Sequence, residues 1–398
     1  MPEYKAPGVY VEEASFRARS IEGVSTSTTA FVGPTLLGPQ SQGSTAVEAL
    51  VTSFAEFEQH FGGLGDLQSM EGSRCNYVAH SARAFFNNGG EKLYVARVEP
   101  GAAATDYALA MHSLQQFTDV SLVAAPGYSA RSDAVEIQQA LIDHVERGRN
   151  QDRYCFAVLD APPVATIDEM LAARAGIDAS CAAIYYPWVT IDNPLATADA
   201  NQAPELQLPP SGFVCGVFAR VDAERGVWKA PANEPLQEVR GLQRHIDDQQ
   251  QALLNAQDVN CIRSFTGRGT LLWGARTTSS DPEWKYVSIR RYALYLEQSI
   301  SQGLEWALFE PNGERLWTAA RQAVESFLFR EWRSGALMGS KPEQAFFVRC
   351  DQSTMTQNEI DSGRLIVTIG VAPLRSGEFV VIRIGQWTAT ARSDGGSP

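Results

Sequence analysis

The sequence predicts a mixed α/β protein, in which a mostly parallel sheet with crossover helices is followed by a C-terminal part of different character. Three observations predict it. From about residue 28 to residue 185, β-rich runs alternate with segments of helical periodicity, the mark of strand–helix–strand units. Ser/Thr-x-x-Glu boxes open three helical segments, pairing a hydroxyl with the third residue's N–H and that residue's carboxylate with the cap's own N–H. Beyond about residue 260 the alternation stops and two amphipathic stripes at helical spacing take over.

Residues 1 to 20 hold one short alternating stretch, Val9-Tyr10-Val11, between Pro7-Gly8 and a polar Ser/Arg segment; it reads as a strand with no sequence-adjacent partner. Thr29 to Val32 reads as the first strand of the alternating region. Ser53-x-x-Glu56 then opens a short helix ending at Gly62-Gly63, and a helix over Tyr77 to Phe86 is stopped by Asn88-Gly89-Gly90. Strands are predicted over Lys92 to Val98, Val120 to Ala124, Tyr154 to Leu159 and Ala182 to Tyr185. Between them, helices are predicted over Ala134 to Val145 and, behind a Thr166-x-x-Glu169 box, over Ile167 to Arg174. Asn193 to Pro210 holds four prolines and reads as a loop.

Strands at Ile262 to Phe265 and Leu271 to Trp273 precede a long helix with Ile289, Tyr292, Leu296 and Ile300 on one face. A second helix begins at Pro311-Asn312 and carries Leu316, Ala320, Val324, Phe327 and Leu328, a stripe explained by core packing. Phe346 to Val348 is β-rich, and Thr356-x-x-Glu359 introduces a short helix. Two further β-rich runs, Leu365 to Val371 and Phe379 to Ile384, read either as a hairpin or as strands with different partners.

Charge and composition exclude several functions. The 398 residues carry 33 Lys and Arg against 46 Asp and Glu, a net charge of −13, and no basic stripe with which to grip phosphates, so nucleic acid is not an expected partner. The length predicts two or three domains. The start, Met1-Pro2-Glu3-Tyr4-Lys5, has no apolar core of the kind a secretory signal needs, which predicts synthesis in the cytoplasm without a signal peptide. The longest uncharged apolar stretch, Ala179 to Ile191, is broken by Pro187 and is shorter than the roughly 20 residues a bilayer needs, so no membrane insertion is expected. Cys75, Cys155, Cys181, Cys215, Cys261 and Cys350 form no C-x-x-C pair and read as small buried hydrophobes in a reducing compartment.

No catalytic constellation emerges. The five histidines never fall at i, i+4, and H-E-x-x-H, G-x-S-x-G and G-x-x-x-x-G-K-[ST] are absent, so no metal or cofactor is expected. Gly267-x-Gly269 with Gly274 lacks dinucleotide-binding spacing. Asp160 follows a predicted strand, where α/β enzymes place a carboxylate; that supports a cytoplasmic α/β enzyme as the alternative function. An Asx-type turn over Asp160-Ala161-Pro162-Pro163 is the plainer reading. The charge is also uneven: from Pro311 onward there are ten basic and nine acidic residues (+1), which leaves −14 on residues 1 to 310. The helix bearing Arg315, Arg321, Arg330 and Arg333 therefore suits an acidic partner.

Motifs in order along nearly the whole chain carry a resemblance. Pro7-Gly8-Val9-Tyr10-Val11-Glu12-Glu13, Thr28-Thr29-Ala30-Phe31-Val32-Gly33 and Asn88-Gly89-Gly90 before Tyr94-Val95-Ala96-Arg97-Val98 are followed by Tyr185-Tyr186-Pro187-Trp188. Arg225-Gly226-Val227-Trp228-Lys229-Ala230-Pro231-Ala232-Asn233, Trp273-Gly274-Ala275-Arg276-Thr277, Phe309-Glu310-Pro311-Asn312, Gly370-Val371-Ala372-Pro373 and Glu378-Phe379-Val380 complete the series. In this the chain resembles contractile tail sheath proteins of phage tails, R-type bacteriocins and extracellular contractile injection systems. Ser376-Gly377 departs from the Pro-Ala common in the family.

The resemblance implies a structural, non-enzymatic subunit stacked in hexameric rings around an inner tube, contracting to drive that tube through a target envelope. It implies a linking arm over 1–22, an outer α/β domain over 23–258, an inner sheath domain with terminal strand over 259–385 and a tail over 386–398. Gly8, Val9, Tyr10, Val11 and Glu12, and Phe379, Val380, Val381, Ile382 and Ile384, would be the strands exchanged between subunits. Arg321, Arg330 and Arg333 would face the tube. Implied partners are further copies of the chain, the inner tube protein, and baseplate and tail-terminator or cap proteins, in a particle that injection systems release from the cell. A 20-residue extended arm spans about 65 Å, against a radius of gyration of about 21 Å for a globule of this length, so the arm reaches a neighbour.

Overall fold

Strand burial explains the centre of the molecule. The computed structural model describes residues 20–38, 50–69, 72–148, 154–196, 203–375 and 377–378. The strands β1 (Thr29–Pro34), β4 (Leu93–Val98), β5 (Leu122–Ala124), β6 (Phe156–Asp160) and β7 (Ala182–Tyr186) are buried at every position except Pro34. Strands buried on both faces need cover on both sides, which parallel sheets with crossover helices supply. All five pair in parallel, in the order β7-β6-β5-β1-β4. The predicted α/β class and parallel core are what the chain adopts.

Small elements decorate this core. β2 (Leu67–Ser69) and β3 (Gly72–Arg74) pair antiparallel. β8 (Val189–Asp192) pairs with β9 (Glu205–Leu208) and with β11 (Gly241–Leu242). The stretch expected to be a loop, Asn193 to Pro210, thus contains a strand: its prolines stand outside Glu205–Leu208 and leave that run free to pair. On the β7 side the main sheet continues through β12 (Val259–Phe265), parallel, then β13 (Gly269–Leu272) and β10 (Glu234–Pro235), antiparallel. The main sheet therefore runs past residue 258, where the sequence placed a domain boundary.

The helices α1 (Phe54–Phe61), α2 (Tyr77–Asn87), α3 (Ala104–Ser113), α4 (Ala134–Gly148), α5 (Ile167–Arg174), α6 (Ser211–Arg225) and α7 (Asp248–Ala256) cover it. Their starts follow the boxes read from sequence. Thr166 accepts from the Glu169 amide while its own amide donates to the Glu169 carboxylate at 2.8 Å. Ser53 likewise accepts from Glu56, whose carboxylate reaches one residue further back, to the Thr52 amide at 2.7 Å. α6 had no stripe to find, because it is buried on nearly every side. Gly212 and Gly216 let it cross α2 at close range: a Cβ at Gly216 would stand 2.6 Å from the Phe85 carbonyl.

The C-terminal part begins with α8 (Val287–Gly303), whose Val287 and Leu294 join the main core while Tyr292 and Leu296 join a second cluster. That cluster contains Ala323, Val324, Phe327 and Leu328 of α9 (Glu314–Arg333), Ala345 of α10 (Pro342–Ala345), Val348 of β14 (Phe346–Arg349), and Ile21 from the start of the described chain. Leu316 and Trp317 pack in a third, smaller cluster with Cys350 and Met355, before α11 (Gln357–Asp361) and β15 (Thr368–Val371). The parts are joined by a buried ion pair: Arg291 on α8 donates to both Asp222 oxygens on α6 at 3.0 and 2.6 Å and to the Thr26 carbonyl at 2.8 Å.

Candidate assembly surface

β14 and β15 form a two-stranded antiparallel sheet, Phe346 opposite Val371 and Val348 opposite Ile369. Val348 is buried against the second cluster, with Phe346 and Ile369 packed on it. On the other face, Phe347 lies across Gly370, where any Cβ would collide with the ring, and remains 50% exposed. Neither strand has a further partner among the described residues. A two-stranded sheet is marginal by itself, and its free edges present unpaired backbone groups.

Both ends of the described chain are anchored, the first in the cluster under this sheet and the last at Arg276. At the N-terminal end Ile21 is fully buried among α8 and α9, its carbonyl accepts from Arg330, and the Val24 amide donates to Ser299 at 3.1 Å. At the C-terminal end a strap leaves β15: the Met338 amide donates to the Ala372 carbonyl at 2.8 Å, and the Ala372 amide to the Ala345 carbonyl at 2.8 Å. The strap finishes at Glu378, whose carboxylate is held by Arg276 through both Nε, at 2.9 Å, and Nη2. Arg276 is itself held by Asn255 and Asp258 through Nη1. Its backbone is clamped by Asn260, which donates to the Arg276 carbonyl and accepts from the Arg276 amide, both at 2.7 Å. The strand-exchange residues expected from sequence, Gly8 to Glu12 and Phe379 to Ile384, lie outside the described residues.

The three arginines expected on one tube-facing surface do not share a face. Arg321 and Arg330 are nine residues apart on α9, about half a turn out of phase. Arg330 turns to the Ile21 carbonyl and lies over the Phe327 ring at 5.9 Å, so it binds the N-terminal segment to its own subunit. Arg321 stands 3.9 Å from Glu325, an exposed i,i+4 pair worth little. Arg333 is exposed, with no partner among the described residues, and is in phase with Arg315, about five turns away.

Asp160 is 1% exposed and does not make the expected Asx turn. It points at the start of α6, accepting from the Ser211 amide at 2.8 Å and the Ser211 hydroxyl at 2.9 Å, while its carbonyl accepts from Tyr128. A carboxylate at a helix N-terminus satisfies donors the helix leaves open. Burial raises its pKa to about 7, against the pull of the Ser211 hydrogen bonds. The signal that sequence reading missed is Ser211 after Pro209-Pro210, a helix start whose partner lies 51 residues upstream.

Known proteins resemble this chain along most of its length. The phage tail sheath protein central domain matches residues 101–278, and the phage tail sheath C-terminal domain matches residues 279–386. The tail sheath protein of Vibrio phage KVP40 is 22% identical over 78% of this chain, and a prophage major tail sheath protein of Pseudomonas aeruginosa is 25% identical over 67%. The chain spans 49% and 65% of those two proteins. Among solved structures, the sheath of an extracellular contractile injection system in its contracted state superimposes with a TM-score of 0.78 at 29% identity, covering 98% of this chain and 100% of that one. The contracted helical sheath of the anti-feeding prophage gives 0.76 at 30%, covering 96% and 100%. These relatives give the α/β-enzyme alternative no support.

Proposed function

The chain belongs to the phage tail sheath family, and from that we propose that it is the sheath subunit of a contractile injection device, stacking as hexameric rings around an inner tube and contracting to drive the tube through a target envelope. The observation that supports this reading most is the β14–β15 sheet: two short strands, apolar residues on both faces, edges unpaired among the described residues, and Ile21 of the N-terminal segment in the cluster beneath it. Added strands would satisfy those edges at about 1 kcal/mol net per hydrogen bond. We assign the donors to residues 8–12 of one neighbour and 379–384 of another, so that subunits remain linked while their bodies rotate.

The continuity of the main sheet argues for a division near residue 279 rather than 258, with the acidic sheet-bearing part outward and α9 with β14–β15 inward. On α9, Arg333 and Arg315 are the better tube-facing pair, since Arg330 is engaged within the subunit. Full-length coverage of injection-system sheath chains, against about half of the KVP40 protein, favours a simple injection device with baseplate and cap proteins as further partners. Deletion of residues 2 to 13 is expected to leave a folded, soluble subunit that forms no cylinders on concentration, as judged by electron microscopy. Long cylinders from that deletion would defeat the arm assignment; a full-length chain that never polymerises would defeat the sheath reading.

A further inference from the structure

Phe309 breaks two rules together. It is fully exposed, and it sits at φ +64°, a left-handed conformation that crowds any Cβ and is rare for a bulky aromatic. Leu308 beside it is 66% exposed. The knuckle is rigidly built. The Leu308 amide donates to Glu305 at 3.1 Å, while behind it Asn312 donates to the Ile360 and Arg364 carbonyls and accepts from the Trp317 indole at 2.7 Å. A strained, preorganised apolar projection serves no purpose within the subunit that carries it.

The molecule also has a cleft of about 1010 Å3, walled by Trp228, Trp273, Tyr286 and Leu374 and flanked by Arg225 and Arg375, neither with a partner among the described residues. Ser334, at the end of α9, lies on its wall. Phe309 precedes the start of the same helix, and 20 residues of helix span about 30 Å. The knuckle bears the exposed acids Glu305 and Glu310, whereas the cleft bears Arg225 and Arg375, its one lining acid, Glu378, being paired with Arg276. We propose that Leu308-Phe309 of one subunit inserts into this aromatic cleft of a second copy of the same chain.

A projection and its complementary pocket at opposite ends of one rod make a heterologous contact, which propagates as an open polymer rather than closing as a dimer. The charges fit the direction, acidic knuckle to basic cleft. An aromatic anchor in a desolvated pocket is where interface energy concentrates. This rests on the sheath reading only for the identity of the partner as a second copy.

Two full-length variants, Leu308→Cys and Ala230→Cys, test the contact when mixed and oxidised, with Leu109→Cys replacing Leu308→Cys as the control. An intermolecular disulfide in the first mixture and none in the control is expected, and Phe309→Ala in the Leu308→Cys chain should cut the yield about tenfold or more. Phe309→Gly should likewise abolish the crosslink while raising the thermal midpoint, because glycine removes the left-handed strain. Crosslinking equal to the control, or unchanged by Phe309→Ala, overturns the proposal. So does capture of Leu308→Cys by an added tube protein in preference to Ala230→Cys. The disulfide reads the contact whether or not cylinders form, so loss of the sheath reading and loss of this contact are separate results.

Discussion

The eight-stranded sheet buries its parallel strands along their length, whereas the two-stranded sheet of β14 and β15 leaves Phe347 50% and Val371 37% exposed on strands of four residues. The first finds the partners of its inner strands and its covering helices within one chain. The second has one apolar side seated on α9 and, among the described residues, no further strand paired to either edge. Self-sufficiency is distributed unevenly: the large sheet sits under helices of its own chain, and the small one leaves its strand edges unpaired among the described residues. Exposed large apolar residues are denser in the C-terminal part: Leu308, Phe309, Phe329, Met338, Phe347, Val371 and Leu374 lie after residue 300, against Leu36, Leu37, Leu109, Val135, Val164 and Leu253 in the much longer stretch before it.

Breaking the join between the regions should have the largest effect. Arg291 and Asp222 have side chains only 3% and 4% exposed, and Asp222 also accepts from the Thr26 hydroxyl at 2.6 Å. Asp222→Ala leaves a buried guanidinium without its counter-charge, a change that typically costs about 3–5 kcal/mol. Urea unfolding should show that loss, and hydrogen exchange should show α8 and the residue 24–27 segment opening before the β1–β4–β5 core. If the main sheet loosens equally, the two regions are one cooperative unit and the contrast drawn between them fails. Asp222→Asn, which keeps an acceptor, should cost less.

The sequence made the first region more legible than the second, for physical reasons. Boxes such as Thr166-x-x-Glu169 act within one turn, so the helix start is written where it acts. β1 and β4 announce themselves by β-branched and aromatic runs. α6 stayed hidden because a helix buried all round has no polar face to set a period, and its cap, Asp160, lies far upstream. The α9 stripe was readable as core, but the arginines outside it could not be sorted without knowing that Ile21 packs there and offers Arg330 a carbonyl. The arm motif gave no hint of the Arg276–Glu378 clamp, whose partners are 102 residues apart.

Asp160 tests whether the main region's stability is internally set, with an effect of intermediate size. Its pKa is raised from 3.8 to about 7 by burial, so the folded state holds the proton more tightly than the unfolded chain does. This contribution is therefore fully present below the unfolded value and is lost as pH rises through about 7. The tighter hold on that proton is worth about 4 kcal/mol, which is the stability at stake across the window. Asp160→Asn keeps an acceptor for the Ser211 amide and has no proton to lose. Its unfolding midpoint should therefore lack the wild-type decline over this window; parallel curves would show that Asp160 stays ionised in the folded protein.

The smallest effect separates the two arginines of the inner region. Arg330→Ala removes one charge-assisted hydrogen bond to the Ile21 carbonyl and a ring contact, at about 1 kcal/mol. Exchange at the Val24 amide, which is bonded to Ser299, should quicken as the segment loosens. Arg333→Ala removes a side chain with no partner among the described residues, so stability and exchange should stay at wild-type values. The same pair then reads assembly. If Arg333 faces the tube, Arg333→Ala lowers tube co-purification without touching the monomer, while Arg330→Ala acts through the N-terminal segment and impairs sheath linkage first. Reversal of those two outcomes would return Arg330 to the tube-facing surface on which the sequence placed it.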